Sequence, residues 1–299
     1  MDVPTFADRI LGCLLGGAIG DAMGAHFEGM AAGSRRPEPT DLQITDDTQL
    51  TLATCEAIIE TGQAEPAAIA QQFATWFHDR RLTGLGASTL KALTELEIGG
   101  HWALVGHKGE MAAGNGAAMR IAPLAFCLDP AVPSDRRTIR DISRITHHHD
   151  EAYTGALAVV VAVRSAWRGE WDGGPGLLPI VHGALPDSLV RDRLVEMSRL
   201  DAATPLAEVA SRFGASGYVI ESVPLALVAA QRVQPGGFVR MLEELISVGG
   251  DTDTIASIAG QVVGTLIGRD RLPAPMIARI CDIDLVTAIA LRFVASMDR

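Results

Sequence analysis

Apolar residues recur three and four positions apart along most of this 299-residue chain, and strict alternation over the length of a strand is hard to find. This spacing gives each segment one apolar stripe and predicts an all-α fold. Segments 156–167 and 219–228 are apolar nearly all round, so they predict helices buried at the centre of a bundle. No charge run or Ser/Gly linker divides the chain, and we expect one compact domain over residues 1–299. Segments 29–43 and 169–187 are expected to be irregular surface loops.

Charge, apolar length and cysteine spacing narrow the classes of function. The formal net charge is −11, which repels phosphate backbones and anionic lipids and argues against nucleic acid as the main partner. The longest uncharged stretches, 154–163 and 255–268, are shorter than the ~20 apolar residues that span a bilayer. The four cysteines stand singly, without a CxxC pair, which is typical of buried thiols in a reducing compartment. We therefore expect a cytoplasmic protein that binds no membrane.

Two acidic motifs stand at expected helix starts, one in each half of the chain. Both combine carboxylates with hydroxyls, and they consist of Thr45, Asp46, Asp47 and Thr48 and of Asp251, Thr252, Asp253 and Thr254. Helix capping explains either motif alone, because Asp and Thr side chains accept hydrogen bonds from first-turn N–H groups. Capping needs only one oxygen, so the paired acids favour a second interpretation, a shared cation site. Four carboxylates would balance two divalent cations, and oxygen-only ligands favour Mg²⁺ or Mn²⁺.

Three further segments combine polar side chains with small or apolar neighbours. Asp21 and Glu28 lie in a glycine-rich run that is typical of close helix packing, where a carboxylate is costly unless it is paired or functional. The Gly-Asn-Gly sequence at 114–116 can offer N–H groups and an amide to ribose or phosphate oxygens, although alone it also indicates a simple turn. The histidine run at 147–149 can place at most one ring in a given site.

Taken in order, these segments resemble the ADP-ribosylglycohydrolase family. The similarity rests on six motifs, which are GDAxGxxxE at 20–28, TDDT at 45–48, GNGAAMR at 114–120, TH at 146–147, SGYVIES at 216–222 and GGDTDT at 249–254. The resemblance implies an orthogonal all-helical bundle with a dinuclear Mg²⁺ or Mn²⁺ centre. It also implies a hydrolase that cleaves the bond at C1″ of the distal ribose of ADP-ribosylated protein or O-acyl-ADP-ribose and releases ADP-ribose.

The resemblance further implies roles for individual residues. The two divalent cations would be held by Thr45, Asp46, Asp47, Asp251, Asp253 and Thr254. The expected catalytic residues are Glu28, Asp46 and Asp253, where Glu28 manages the proton of the water or leaving group and the other carboxylates stabilise positive charge. ADP-ribose would be contacted by Gly114, Asn115, Gly116, His147 and Tyr218.

One position departs from the pattern of the arginine-specific members of that family. Those members tend to carry an acid in the loop that matches 83–89, and this chain has Ala87 there. The sequence is therefore compatible with an O-linked substrate, such as ADP-ribosyl-serine or O-acetyl-ADP-ribose, as well as with an arginine-linked one. Two other classes also stay open: a non-catalytic ADP-ribose binder or immunity-type regulator, and a helical metal-dependent phosphohydrolase that uses His149 and Asp150.

Overall fold

The computed structural model describes residues 3–34, 37, 39–233 and 237–297. Within these ranges the chain is helical nearly throughout, which confirms the all-α prediction. The α-helices are α1 (Phe6–Ala25), α2 (Asp46–Thr61), α3 (Pro66–His78), α4 (Ala87–Glu97), α5 (Pro133–Ser143), α6 (Asp150–Arg168), α7 (Leu177–Ala184), α8 (Leu189–Met197), α9 (Leu206–Phe213), α10 (Val219–Gln231), α11 (Gly237–Ser247), α12 (Thr252–Ile267), α13 (Ala274–Ile277) and α14 (Ile283–Met297). Two short strands, β1 (His107–Lys108) and β2 (His147–His148), pair in parallel.

The centre of the bundle is formed by the helices that the sequence predicts to be buried. Leu157 and Val160 of α6 and Leu225 and Leu227 of α10 are all inaccessible to solvent. Both helices pack against α12, and one hydrophobic core includes residues from α1 to α14. Within the described ranges, no helix is both long enough and apolar enough to cross a bilayer.

Helix α1 lies against α12 with almost no space between the two backbones. A Cβ added at any of four α1 glycines would lie 2.1–2.4 Å from a carbonyl oxygen of α12. The facing pairs are Gly12 with Gly264, Gly16 with Gly260, Gly20 with Ala256 and Gly24 with Thr252. Residue numbers rise along one helix as they fall along the other, so the helices are antiparallel. The end of α1 therefore lies beside the start of α12.

We expect Gly20→Ala to destabilise the protein by about 1–3 kcal/mol, the usual cost of adding atoms to a packed core. The new Cβ would lie 2.1 Å from the carbonyl oxygen of Ala256, so the two backbones would have to move apart. Urea unfolding followed by circular dichroism measures the change. Gly183→Ala in α7 is the matched control, because its Cβ would meet no atom within 4 Å. Equal effects of the two substitutions would contradict close packing as the cause.

The expected loop at 169–187 is wrong in part, because it contains α7 (Leu177–Ala184). Leu178 and Val181 of this helix are buried against the core. Proline usually breaks a helix, but Pro179 stands in the first turn of α7. An N–H group in the first turn has no intrahelical partner, so its absence from proline costs no hydrogen bond. In the other expected loop, 29–43, the described residues form no helix, and positions 35, 36 and 38 lie outside the described residues.

The cysteines also differ in part from expectation. Cys13 and Cys55 are buried and Cys127 is half-buried, whereas Cys281 is exposed. All four are free thiols. Burial raises the pKa of Cys13 and of Cys127 to about 12, which keeps both thiols protonated and unreactive near neutral pH.

Candidate metal and active site

The two acidic motifs meet beside the end of α1. Carboxylate oxygens of Asp21, Asp47 and Asp253 all lie within 4.8 Å of one another, and so do those of Glu28, Asp251 and Asp253. Asp253 belongs to both groups. A direct bond joins the motifs across 207 positions of sequence, because the Thr254 hydroxyl donates to Asp47 Oδ2 at 3.2 Å. The structure thus brings three of the four motif carboxylates together with Asp21 and Glu28.

Helix capping accounts for little of this arrangement. Thr45 is the N-cap of α2, and its hydroxyl accepts a long bond of 3.4 Å from the Asp47 N–H. Asp251 is the N-cap of α12, yet its side chain makes no capping bond. Asp47 Oδ1 is buried without a hydrogen-bond partner. A buried carboxylate oxygen is costly in that state unless a cation or a proton binds it, so this oxygen fits a cation site.

Gly249 and Gly250 set the path of the chain into Asp251. Their φ angles are +75° and +79°, in the left-handed region that favours glycine. A Cβ at Gly250 would lie 2.1 Å from the carbonyl oxygen of Ala215. The Gly29 N–H donates to the Gly250 carbonyl at 2.8 Å. This turn therefore holds the Glu28 segment beside Asp251.

Asp21 also belongs to the cluster, although the family resemblance implies no role for it. It is fully buried, and it accepts bonds from the backbone N–H and the hydroxyl of both Thr45 and Thr48, at 2.5–3.2 Å. These four bonds fix the first turn of α2 against α1. The available signal was a lone carboxylate inside a glycine-rich apolar helix, whose partners lie 24 and 27 positions away.

Burial raises the pKa of each carboxyl group in the cluster, and the neighbouring carboxylates add to the effect for several of them. The pKa of Asp21 is raised to about 6 and that of Asp253 to about 7. Burial also raises the pKa of Asp46 and Asp47 well above the ordinary value, with further increases from Asp21 and Asp253. Such a cluster holds protons near neutral pH or exchanges them for cations.

We expect the metal-free protein to lose stability as the pH rises from about 4 to about 7, because an acid with a raised folded pKa binds more protons folded than unfolded. The pKa values of Asp21, about 6, and Asp253, about 7, both lie above the ordinary value of 3.8, so the loss falls between that value and about 7. Burial lowers the pKa of His147 from 6.5 to about 3, which has the opposite effect between those two values but offsets only one of the two carboxyl groups. Melting temperatures in EDTA measure the fall, and Mg²⁺ should abolish it. A melting temperature that rises with pH in EDTA would contradict the expectation.

A cavity of about 470 Å³ opens over the cluster. Its lining includes most of the predicted site residues, namely Glu28, Asp46, Asp47, Asp251, Asp253, Thr254, Gly114, Asn115, Gly116 and His147. Thr45 and Tyr218 are not part of the lining. The Thr45 hydroxyl is directed to Asp21, and Tyr218 is 41% exposed, although its neighbours Ser216 and Gly217 line the cavity.

Asn115 is held by contacts within the protein. Its backbone N–H donates to the carbonyl oxygen of Gly217 at 3.0 Å. Its side-chain amide was expected to contact ADP-ribose. The amide instead donates to Asp251 Oδ2 and to the hydroxyl of Ser222. Asn115 therefore fixes the orientation of Asp251, and the loop at 114–116 is joined to the acidic cluster.

His147 faces the same loop from β2. A Cβ on Gly116 would lie 2.7 Å from its ring, so only glycine leaves room for this contact. The His147 ring is hydrogen-bonded at 2.8 Å to the Thr146 hydroxyl, which accepts a bond from the buried Arg120. Burial, with a smaller effect of Arg120, lowers the pKa of His147 to about 3. The ring is therefore neutral near neutral pH and can position a ligand by hydrogen bonding.

The other two histidines of the run lie away from the cavity. His148 bonds to the Val105 carbonyl oxygen at 2.7 Å. His149 caps α6 by accepting from the Glu151 N–H, and Asp150 pairs with Arg144 at 2.8 Å. Neither His149 nor Asp150 lines the cavity, so the phosphohydrolase alternative loses the pair on which it depends.

Comparison with known proteins gives one consistent result. The family model described as ADP-ribosylglycohydrolase matches residues 2–299. The Homo sapiens protein ADP-ribosylhydrolase ARH3 is 27% identical, and the match covers 89% of this chain and 87% of that protein. The ADP-ribosyl-[dinitrogen reductase] glycohydrolase of Rhodospirillum rubrum is also 27% identical, over 94% of this chain and 92% of its own. A solved ADP-ribosylglycohydrolase-related protein complex has a TM-score of 0.75 at 25% identity, covering 97% and 98% of the two chains.

Proposed function

Because this chain belongs to the ADP-ribosylglycohydrolase family, we propose that it hydrolyses the bond at C1″ of the distal ribose of an ADP-ribosylated substrate and releases ADP-ribose. One observation carries the proposal: both acidic motifs, Glu28 and the loop at 114–116 line a single cavity. The volume, about 470 Å³, lies in the range of small-molecule sites. The relatives named as hydrolases match this chain along most of its length, which supports the same class of reaction.

The proposed cofactors are two divalent cations, Mg²⁺ or Mn²⁺. The residues that would hold them are Thr45, Asp46, Asp47, Asp251, Asp253 and Thr254. Their donors are all oxygens, which suits these ions. The orphaned Oδ1 of Asp47 and the two acidic groups that share Asp253 support a paired site. When bound, the cations would supply positive charge that orients sugar hydroxyls and lowers the pKa of a nearby water.

The protein's own side chains would transfer the proton, stabilise the developing charge and hold the substrate. Glu28 lies at the exposed edge of the cavity, and burial together with Asp253 and Asp21 raises its pKa. A carboxyl group with a raised pKa is suited to transfer a proton to or from the water or the leaving group. Asp46 and Asp253 would stabilise the positive charge that develops on the ribose in an oxocarbenium-like transition state. Neutral His147 and the N–H groups at 114–116 would hold the sugar and phosphates.

We further propose that the substrate is O-linked. Ala87, Ser88 and Thr89 line the cavity where the arginine-specific members tend to carry an acid. This edge therefore offers hydroxyls and a methyl group but no carboxylate to pair with a guanidinium. Serine-linked ADP-ribose and O-acetyl-ADP-ribose both lack that positive charge.

The test compares ADP-ribose release from arginine-linked, serine-linked and O-acetyl substrates in the presence of Mg²⁺ or Mn²⁺. We expect faster release from an O-linked substrate. Faster release from the arginine-linked substrate would contradict the proposal that the substrate is O-linked. Binding of ADP-ribose without release from any substrate would contradict the reaction itself and support the non-catalytic binder.

The variant Ala87→Asp should raise the relative rate on the arginine-linked substrate, because it adds a carboxylate at the cavity edge. Ala87 is exposed at the first position of α4, where an acid is favourable for the helix. Ala87→Asn is the matched control, since it has the same shape without the charge. If Asp and Asn have equal effects, Ala87 does not set the linkage.

A further inference from the structure

A second cavity, of about 460 Å³, lies apart from the acidic one and shares no lining residue with it. Three arginines of the α5 helix line it, Arg136, Arg137 and Arg140, together with Tyr153 of α6. Pro130 and Pro133 supply apolar walls, and no carboxylate is part of the lining. In a chain with a formal net charge of −11, a cavity lined by three cations and no anion is unusual.

The nearby acids are mostly engaged with other groups. Asp129 pairs with Arg164 at 2.7 Å and Asp150 pairs with Arg144 at 2.8 Å. Asp135 accepts a bond from the Asp129 N–H at 2.8 Å. Among the acids that the structure describes, only Asp141 forms an ion pair with a lining arginine, at a distance of 3.7 Å from Arg140 Nε. Two of the three lining arginines, Arg136 and Arg137, are therefore left without a carboxylate partner among the described residues.

Arg136 is held in place by neutral partners. Its Nε donates to the Pro130 carbonyl oxygen at 3.0 Å, and its guanidinium also donates to the Ala184 carbonyl oxygen at 2.6 Å. Among the ion pairs of the described residues, none includes Arg136 or Arg137. Arg136 is thus a fixed cation, and Arg137 is an exposed one that is free to approach a ligand.

Tyr153 supplies the second, independent observation. Its side chain is only 8% exposed, and within the described part of the chain its hydroxyl has no hydrogen-bond partner. The hydroxyl oxygen is not among the solvent-inaccessible side-chain atoms that lack a partner, so it is open to the cavity while the rest of the residue is buried. Because the residue lines the cavity, its hydroxyl is available to donate a hydrogen bond to a ligand there.

We propose that this cavity binds the phosphate group of a small molecule. Arginine guanidiniums form charge-assisted, often paired hydrogen bonds with phosphate oxygens, and the Tyr153 hydroxyl adds a further donor. The cavity is larger than one phosphate ion needs, and its proline walls suit the uncharged part of an organic phosphate. The proposal does not depend on the reaction proposed for the acidic cavity.

The two tyrosines of the chain, Tyr153 and Tyr218, allow a direct test. Protein labelled with 3-fluorotyrosine gives two ¹⁹F resonances, which Tyr218→Phe assigns. We expect titration with inorganic phosphate to shift the Tyr153 resonance saturably and to leave the Tyr218 resonance in place. If ribose 5-phosphate binds more tightly than inorganic phosphate, the apolar walls contact the organic part of the ligand. If the two bind with equal affinity, the cavity recognises the phosphate group alone.

Arg137→Gln should weaken phosphate binding by about tenfold or more, as expected for the loss of one charged hydrogen bond. Arg137 is exposed and makes no ion pair among the described residues, so the substitution leaves the fold intact. Arg199→Gln, a change at another exposed arginine, is the matched control. The proposal is overturned if the Tyr153 resonance does not saturate, if chloride at equal ionic strength shifts it equally, or if Arg137→Gln titrates like the unmodified protein.

Discussion

Replacing Glu28 by glutamine is expected to lower kcat for ADP-ribose release by about 10²–10⁴-fold, the usual contribution of a positioned general acid or base. Glu28 lines the acidic cavity, and one of its carboxylate oxygens lies within 4.8 Å of those of Asp251 and Asp253. Glutamine keeps the size and much of the hydrogen bonding of glutamate but cannot transfer a proton. Because the side chain is exposed, the substitution should leave the fold and the affinity for ADP-ribose largely unchanged.

Steady-state kinetics give kcat, and calorimetry gives the affinity of the same variant for ADP-ribose. Glu243→Gln, at an exposed position of α11, is the matched control and should keep full activity. Near-normal turnover of Glu28→Gln would exclude Glu28 from proton transfer. If ADP-ribose affinity and kcat fall together by the same factor, Glu28 contributes to binding and has no separate role in the chemical step.

The local parts of this site could be predicted from the sequence because they depend on short-range physics. Paired acids and hydroxyls mark the starts of α2 and α12, and both helices begin there. The apolar spacing predicts buried helices at α6 and α10, and they form the centre of the core. Capping, spacing and burial are properties of neighbouring residues, so a single sequence contains them.

The convergence of the two motifs is a different kind of fact, since it depends on how α1 and α12 pack. Their glycines fix an antiparallel contact in which Gly24 faces Thr252, and this register places Asp21 and Glu28 beside Asp253. The glycine-rich run predicts close packing without naming the partner helix. The same glycine-rich run therefore supplies both the close packing contacts and two carboxylates of the acidic cluster.

Contacts between distant segments also account for the details of the site that could not be predicted from the sequence. Asp21 bonds to Thr45 and Thr48, which lie 24 and 27 positions away. The Asn115 amide bonds to Asp251, which lies 136 positions away. Tyr218 lies at the start of α10, but its side chain does not line the cavity. Motif resemblance predicts which residues belong together, and only the tertiary contacts show which of them line the cavity.

The second large effect concerns Asp253, which belongs to both acidic groups. Asp253→Asn should weaken Mn²⁺ binding by more than about 100-fold, since even partners outside the ligand set contribute about 10–100-fold. At a Mn²⁺ concentration of about 100 times the Kd, binding stabilises the unmodified protein by about 2.7 kcal/mol, whereas a 100-fold weaker variant would gain only about 0.4 kcal/mol. Melting temperatures with and without Mn²⁺ measure both gains.

A mere loss of structure would lower the melting temperature in both conditions, so the metal-free protein provides the decisive comparison. Burial and the neighbouring Asp251 raise the pKa of Asp253 to about 7, which shows that its charge is unfavourable without a cation. Removing that charge should raise the melting temperature in EDTA while abolishing the response to Mn²⁺. Asp284→Asn, the same change in the first turn of α14, should alter neither. If Asp253→Asn keeps the full Mn²⁺ response, the paired acids do not form a cation site, because no other carboxylate belongs to both groups.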